Sequence, residues 1–560
     1  MTMERRTSLA LLIACLGILG AFGLHAQVSP SISNDRLVNA PKEPQNWLTY
    51  SGTYRSERHS RLKQITPANA NRLELQWVFQ TDSTEKFEAT PLVVDGVMYT
   101  VSPPNNIVAL DAATGRVFWV YHHRPSAQRN CCGNNNRGLA IFGNTLFMGT
   151  VDAFLVAVNA STGMEEWKVK VDRADTGYSI MHAPLVVKDK IIVGVGGGEF
   201  GIRGFIAAFD PRTGSEVWRF NTIPGPGEPG HETWKGDPDA WKHGSGPVWV
   251  TGSYDPDLNL TYWGIGNPGP DWNGDSREGD NLYTDSVVAL NADTGKLAWH
   301  YQFTPHDELD YDAVQVPVLA ELQWPGDDGR RQARKVMMWA NRNGFFYVLD
   351  RITGKLLLAK PFVKMNWASG IDDNGRPIRV TGSVPTKEGT TIFPGVQGGT
   401  NWYSPSYSPG TGLFYVSCWD DYSTVFVKEK AAYREGKAFP GGDALPAGPG
   451  LWTPRVENHY REENGYGAVR AIDPLTGARK WEFRMPAVTE SGILTTATDV
   501  LFSGGREGYF FALDARSGAV LWRATLGGVV IAGPMSYAVG GRQYVAVAAG
   551  SALFSFALRR

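Results

Sequence analysis

Cysteine is scarce in this chain, with four residues in 560. No Cys-x-x-Cys-His occurs, which excludes a covalently attached c-type haem. Charge of either sign is also lacking in excess: 54 Lys and Arg oppose 56 Asp and Glu. A net charge of −2 carries no polyanion-binding signature, so nucleic acid is not an expected partner. After Gln27 no run is long and apolar enough to span a bilayer. No linker composition marks a second domain. What is abundant instead is Gly (64), Pro (34) and Trp (19), a composition of many short strands joined by turns. A hydrophobic content of 42% supports an extensive core.

One phrase recurs through the chain. It reads ALDAATGRVFW (109–119), AVNASTGMEEW (157–167), AFDPRTGSEVW (208–218), ALNADTGKLAW (289–299), VLDRITGKLLL (348–358), AIDPLTGARKW (471–481) and ALDARSGAVLW (512–522). A degenerate copy, ITPANANRLELQW (65–77), opens the series. Self-similarity of this kind signals a repeat architecture. Each copy predicts a strand, a tight turn closed by Asp or Asn and Gly, and a second strand ending in Trp. The indole is a broad flat anchor suited to packing between neighbouring sheets. The expected fold is all-β, a closed ring of small antiparallel sheets, with the copies pointing to an eight-bladed β-propeller.

Residues 1–26 read as an export signal: Arg5 and Arg6, an apolar run from Leu9 to Leu24, then the small residue Ala26. Leu24 is a poor match three residues before the cut. Leu12-Ile13-Ala14-Cys15 resembles a lipoprotein cleavage box, but an apolar stretch follows Cys15 where a lipoprotein turns polar. The Arg5-Arg6 pair is a poor twin-arginine match. The expectation is a single propeller domain over 27–560, exported to the periplasm, where disulfides persist. Residues 27–75 look irregular and are expected to help close the ring by pairing with the last strands. Insertions at 221–247 and 427–467, rich in Gly, Pro and charge, are expected on one face over a binding site. Gly196-x-Gly198-x-x-Gly201 matches a dinucleotide fingerprint, yet Phe205–Phe209 reads as the next strand and leaves no room for the helix that motif requires.

Residues that could carry chemistry are few. Cys131 and Cys132, in NCCGNNNRG, are either two small buried side chains or a vicinal disulfide in an eight-membered ring. Cys418 reads as a buried free thiol. Glu199, Asn267, Asp310 and Asp312 offer hard oxygen donors suited to Ca²⁺ or a trivalent lanthanide, although each alone is an ordinary loop residue. Asp271, Asp275 and Asp280 lack EF-hand spacing and read as loop residues.

Several segments together resemble the quinoprotein alcohol dehydrogenases, exported propellers that carry pyrroloquinoline quinone (PQQ). They are FEATPLVVDGVMY, NCCGNNNRG, GGGEFGIRG, YWGIGNPGPDWNG, FTPHDELDYD, WANRNGFFYVLDR and GGTNWYSPSYSP, in the family's order. The resemblance runs from about residue 45 to the C-terminus, and the repeated phrase is similar to that family's tryptophan-docking motif. It implies that Cys131–Cys132 form a disulfide on one face of the quinone and that Trp249 stacks on the other. Glu88, Arg137 and Asn401 would contact the cofactor. Glu199, Asn267, Asp310 and Asp312 would face the metal, Asp310 would be the general base, and Arg342 would donate to the reactive quinone oxygen. An acidic residue at Asp312 resembles the lanthanide-using members, so a lanthanide is favoured over Ca²⁺.

The implied activity is oxidation of a small primary alcohol to its aldehyde, with a separate soluble cytochrome c as electron acceptor. The resemblance also admits a homodimer. The chain departs from the pattern at Met181, Gly196 and Val248, where hydroxyls are usual, and at Glu490, often Trp; Ser179, His182 and Ser245 are the candidate replacement donors. The competing readings are a non-catalytic scaffold similar to the propeller lipoprotein of outer-membrane assembly, and a sugar or polyol dehydrogenase of the same superfamily.

Overall fold

The computed structural model describes residues 31–126, 133–326, 330–446, 465–485 and 487–560. These residues are almost wholly strand, turn and loop, with one short α-helix, Asn34–Val38, capped by Ser33. Eight sheets have four or five strands, and each is built mainly from consecutive antiparallel strands. The sheet of Leu92–Val94, Val97–Ser102, Asn106–Asp111 and Val117–His122 sets the pattern. Its first three strands are almost entirely buried, and only the fourth alternates between burial and exposure. Strands covered on both faces need continuous apolar sequence, as in Ile107-Val108-Ala109-Leu110, whereas an edge strand needs only one apolar face. The all-β expectation and the propeller architecture are both borne out.

Each repeated phrase forms the turn between the third and fourth strands. Asp111 Oδ1 accepts from the backbone N–H of Ala113 and Thr114 at 2.9 and 3.0 Å, and Gly115 N–H closes on Asp111 O at 2.8 Å. A register shift follows at Ala109/Leu110, and equivalent bulges recur at Ala208/Phe209, Ala289/Leu290 and Ala512/Leu513. The terminal Trp docks on the next sheet. Trp218 Nε1 donates to Ala292 O at 3.1 Å, and Gly295, at φ +67°, lies so close that an added Cβ would sit 2.4 Å from the indole. Only glycine satisfies both the backbone angle and the approach. Where the phrase ends in Leu358 instead of Trp, Gly477 packs on Lys360 and Leu358.

The series joins its own ends. Trp522 Nε1 donates to Leu73 O at 3.1 Å, and Leu73–Gln80 pairs antiparallel with Ala552–Leu558. The strand preceding residue 75 plays a smaller part: His59–Ser60 adds in parallel to Leu494–Thr496. Trp218 is 8% exposed, so Trp218→Ala is expected to lower unfolding free energy by about 3–5 kcal/mol, measured by denaturant titration. Gly198–Phe200 is a single 3₁₀ turn, followed at Phe205–Phe209 by a strand, so the dinucleotide-like glycines open no α-helix. Cys418 is buried and free, its thiol pushed up to about 12 by burial. Among the described residues no helix is long and apolar enough to cross a membrane.

Candidate active site

All eight large sheets contribute to one cavity of about 350 Å³. Two positions in the repeat supply its walls. The segment entering each first strand delivers Glu88, Arg137, Met181, Trp249, the Asp310/Asp312 pair, Asn401, Glu490 and Ile531. The turn leaving the second strand delivers Gly196 to Glu199, Asn267 and Arg342. Short, buried first and second strands therefore aim their connections at a common centre, and side chains remote in sequence meet there. Glu88, Arg137, Glu199, Trp249, Asn267, Asp310, Asp312, Arg342 and Asn401, the described residues expected to bind cofactor and metal or to act in catalysis, all line this cavity. Cys131 and Cys132 lie outside the described residues.

On one side Arg137 stands between two indoles, its guanidinium carbon 5.1 Å from the Trp249 ring and 4.4 Å from Trp402. Its Nη2 is 2.9 Å from Glu88 Oε2, while Nε and Nη1 are buried without a hydrogen-bond partner among the described residues. Buried donors of this kind are costly unless a ligand engages them. A flat, anion-bearing aromatic group fits indole faces beside unpartnered guanidinium N–H groups. Trp402 is a wall residue that the sequence does not mark, although its neighbour Asn401 in GGTNWYSP is marked. Asn401 Oδ1 accepts the Trp402 N–H at 2.8 Å, and its amide donates to Gln397 O at 3.2 Å.

The opposite side is acidic. Arg342 Nη2 reaches Asp310 Oδ2 at 2.8 Å and Nη1 reaches Asp312 Oδ2 at 2.5 Å, and Nε donates to Val396 O at 2.9 Å. Asp312 Oδ1 also accepts the Asn267 N–H at 2.9 Å. Asn267 gives its amide N–H to Asp271 Oδ1 at 2.8 Å, which leaves the amide oxygen as its acceptor end. Asp271, read from sequence as a loop residue, is buried; Asp280 is the exposed partner of Arg376 at 2.8 Å. The Asp310 side chain is 22% exposed and that of Asp312 only 8%, so Asp310 is the carboxylate a small substrate can reach.

Enclosure by protein pushes the Glu199 carboxyl up to about 6, with Asp312 adding to the rise. Burial likewise raises Asp310, and neighbouring Asp312, Asp271 and Asp307 add to this against the pull of Arg342. Carboxyls crowded in this way cannot all ionise without positive charge nearby. Among the described residues no three His, Cys, Asp or Glu side chains are placed to hold a metal ion together, and Asp310 and Asp312 both pair with Arg342. The donor types themselves, carboxylates with one amide oxygen, fit a hard cation.

A family model described as "Glucose/ethanol/alcohol dehydrogenase, beta-propeller domain" matches residues 47–360, and one described as "Outer membrane protein assembly factor BamB" matches 465–557. The chain is 40% identical over 521 residues to the quinohemoprotein alcohol dehydrogenase ADH IIB of Pseudomonas putida, covering 90% of this chain and 73% of that one. It is 38% identical to the lanthanide-dependent methanol dehydrogenase of Methylacidiphilum fumariolicum, covering 95% and 89%. The chain belongs to the PQQ-dependent alcohol dehydrogenase family. A solved structure, a europium-containing methanol dehydrogenase, superposes with TM-score 0.86 at 34% identity, covering 94% of this chain and all of that one.

Against the family pattern, Met181 and Gly196 do line the cavity, whereas Val248 is fully buried beneath Gly194. Two of the candidate replacement donors, Ser245 and His182, are engaged by backbone groups. Ser245 Oγ donates to Gly198 O at 2.6 Å, and the two His182 nitrogens lie 2.8 Å from Ala183 O and 2.9 Å from the Gly194 N–H. Ser179 bridges to Gly196 through its backbone. Glu490 lines the cavity and is held by Arg506 at 3.0 Å. The two insertions meet beside Glu199: Phe439 N–H donates to Glu199 O at 2.7 Å, and Tyr433 stacks on His243 at 3.3 Å.

Proposed function

We propose that this chain is an exported PQQ- and metal-dependent alcohol dehydrogenase that oxidises small primary alcohols to aldehydes, passing electrons to a separate soluble cytochrome c. Residues 1–26 would direct export to the periplasm, and 27–560 would form one eight-bladed propeller domain. The observation that carries this reading is the convergence of Glu88, Arg137, Glu199, Trp249, Asn267, Asp310, Asp312, Arg342 and Asn401 on one cavity.

PQQ, when bound, supplies the hydride acceptor. Trp249 offers it a stacking face, and Cys131–Cys132, as a disulfide, would offer the other. Arg137, Glu88 and Asn401 would contact it from the cavity wall. Glu199, Asn267, Asp310 and Asp312 would hold the metal, a lanthanide in preference to Ca²⁺, which as a Lewis acid would polarise the quinone. Asp310, the carboxylate open to the cavity, accepts the hydroxyl proton of the alcohol. Arg342 holds Asp310 in place and presents N–H groups to negative charge that develops across from it.

The scaffold reading draws on the assembly-factor model that matches 465–557, but it is not favoured, because the charged residues that a scaffold has no use for are those that converge. The test is reconstitution of the purified protein with PQQ and either La³⁺ or Ca²⁺, followed by dye-linked assay against a panel of primary alcohols, aldehydes and sugars. Turnover is expected with primary alcohols. Activity confined to sugars would move the assignment to the polyol branch, and no turnover with either metal would remove it.

A further inference from the structure

Behind the acidic wall lies Asp285, a residue outside the cavity lining. It is fully buried, and neither carboxylate oxygen has a hydrogen-bond partner among the described residues. Its backbone places it firmly. The Asp285 N–H donates to Gly266 O at 3.1 Å, and Phe303 N–H donates to Asp285 O at 2.8 Å. Gly266 in turn presses on the metal side of the hub: a Cβ there would sit 2.1 Å from Asp312 Oδ1, and the next residue is Asn267. Asp285 thus backs directly onto the pair expected to hold the ion.

Burial raises the Asp285 carboxyl well above its usual range; of the charged groups acting on it, Asp307, Asp312 and Asp310 add to the rise and Arg277 opposes it. The one cation among them is spent elsewhere. Arg277 donates to Asn281 Oδ1 at 3.0 Å, Pro270 O at 2.8 Å and Asp307 O at 2.7 Å, and its Nε is unpartnered. With Glu199 and Asp271, six carboxyls crowd this hub against the guanidiniums of Arg277 and Arg342. A buried carboxylate without hydrogen bonds is tolerated only where something else compensates it.

We propose that Asp285 is a buried counter-charge that tilts the hub toward a trivalent cation, acting through space from behind Asn267 and Asp312. This rests on the metal site of the proposed function. Coulomb attraction scales with ionic charge, so an anion that never touches the ion still favours a 3+ over a 2+ ion. Asp285 is a selectivity residue, distinct from the ligands, and nothing about its sequence context distinguishes it from a solvated aspartate.

The test compares wild type with Asp285→Asn, which preserves shape and removes charge. La³⁺ and Ca²⁺ dissociation constants are measured by competition dialysis with metal analysis on the full PQQ-loaded chain. The preference for La³⁺ over Ca²⁺ is expected to fall about tenfold in the variant. In the metal-free protein burial and the neighbouring carboxyls keep Asp285 in its neutral form, so the variant is expected to melt close to wild type. An unchanged La³⁺/Ca²⁺ ratio overturns the proposal, as does a variant that melts lower or does not fold, since either makes Asp285 a structural hydrogen-bonding group. If wild type takes up neither ion, the metal site itself is wrong, a result separable from the first because it appears without any substitution.

Discussion

Asp310→Asn is expected to lower alcohol turnover by about 10²–10⁴-fold, the usual contribution of a positioned proton acceptor. Asn keeps the shape of Asp310 and can still face Arg342, which lies 2.8 Å from the native carboxylate. PQQ binding, read by quenching of indole fluorescence, should therefore survive while steady-state dye reduction collapses. The Glu199, Asn267 and Asp312 side chains remain to hold the ion, so metal content should fall less than activity does. A variant retaining full turnover would show that another group takes the proton, and Glu199, another carboxylate lining the cavity, would be the first to examine.

Asp312→Ala is expected to abolish lanthanide-supported turnover selectively. A trivalent ion gains more than a divalent one from each added carboxylate, so deleting Asp312 penalises La³⁺ first. The structure adds a cost that sequence alone does not show. Asp312 also bonds Arg342 Nη1 at 2.5 Å and the Asn267 N–H at 2.9 Å, so both lose a partner in the variant. Calcium-supported turnover is therefore expected to drop modestly, while the lanthanide-supported rate drops by about 10²-fold or more, as expected for several kcal/mol of lost ion binding. Parallel assays with the two metals measure this, and an unchanged metal preference would contradict the role given to Asp312.

The fold was legible because its signals are local. An Asp whose side chain closes its own turn, a glycine at positive φ and a Trp at fixed distance recur in nearly the same words, and the structure uses each as read. The exception was legible too: Leu358, standing where Trp is usual, leaves Gly477 against an aliphatic chain. The cavity wall was readable only through motif likeness, since Glu88 and Arg342 carry no local mark of their function. Their common feature is position relative to the first and second strands of a sheet, which becomes visible once strand boundaries are known.

Other residues had no signal at all. Asp271 and Asp285 sit in polar, glycine-containing stretches that look solvated, and only tertiary packing reveals them as buried. Val248 shows the reverse, a position expected at the cofactor that instead fills the space under Gly194. Polar side chains suggested by proximity in sequence, Ser245 and His182, are consumed by backbone groups. Hydrogen-bond demand from the fold decides which polar side chains remain free for a ligand.

The most direct measurement is a diffraction map of crystals grown with PQQ and La³⁺, collected with anomalous signal from the metal. Flat density against the Trp249 indole is expected, together with one anomalous peak about 2.5 Å from oxygens of Glu199, Asn267, Asp310 and Asp312. A hub that stays empty, or holds the ion away from Asp310, would contradict the account.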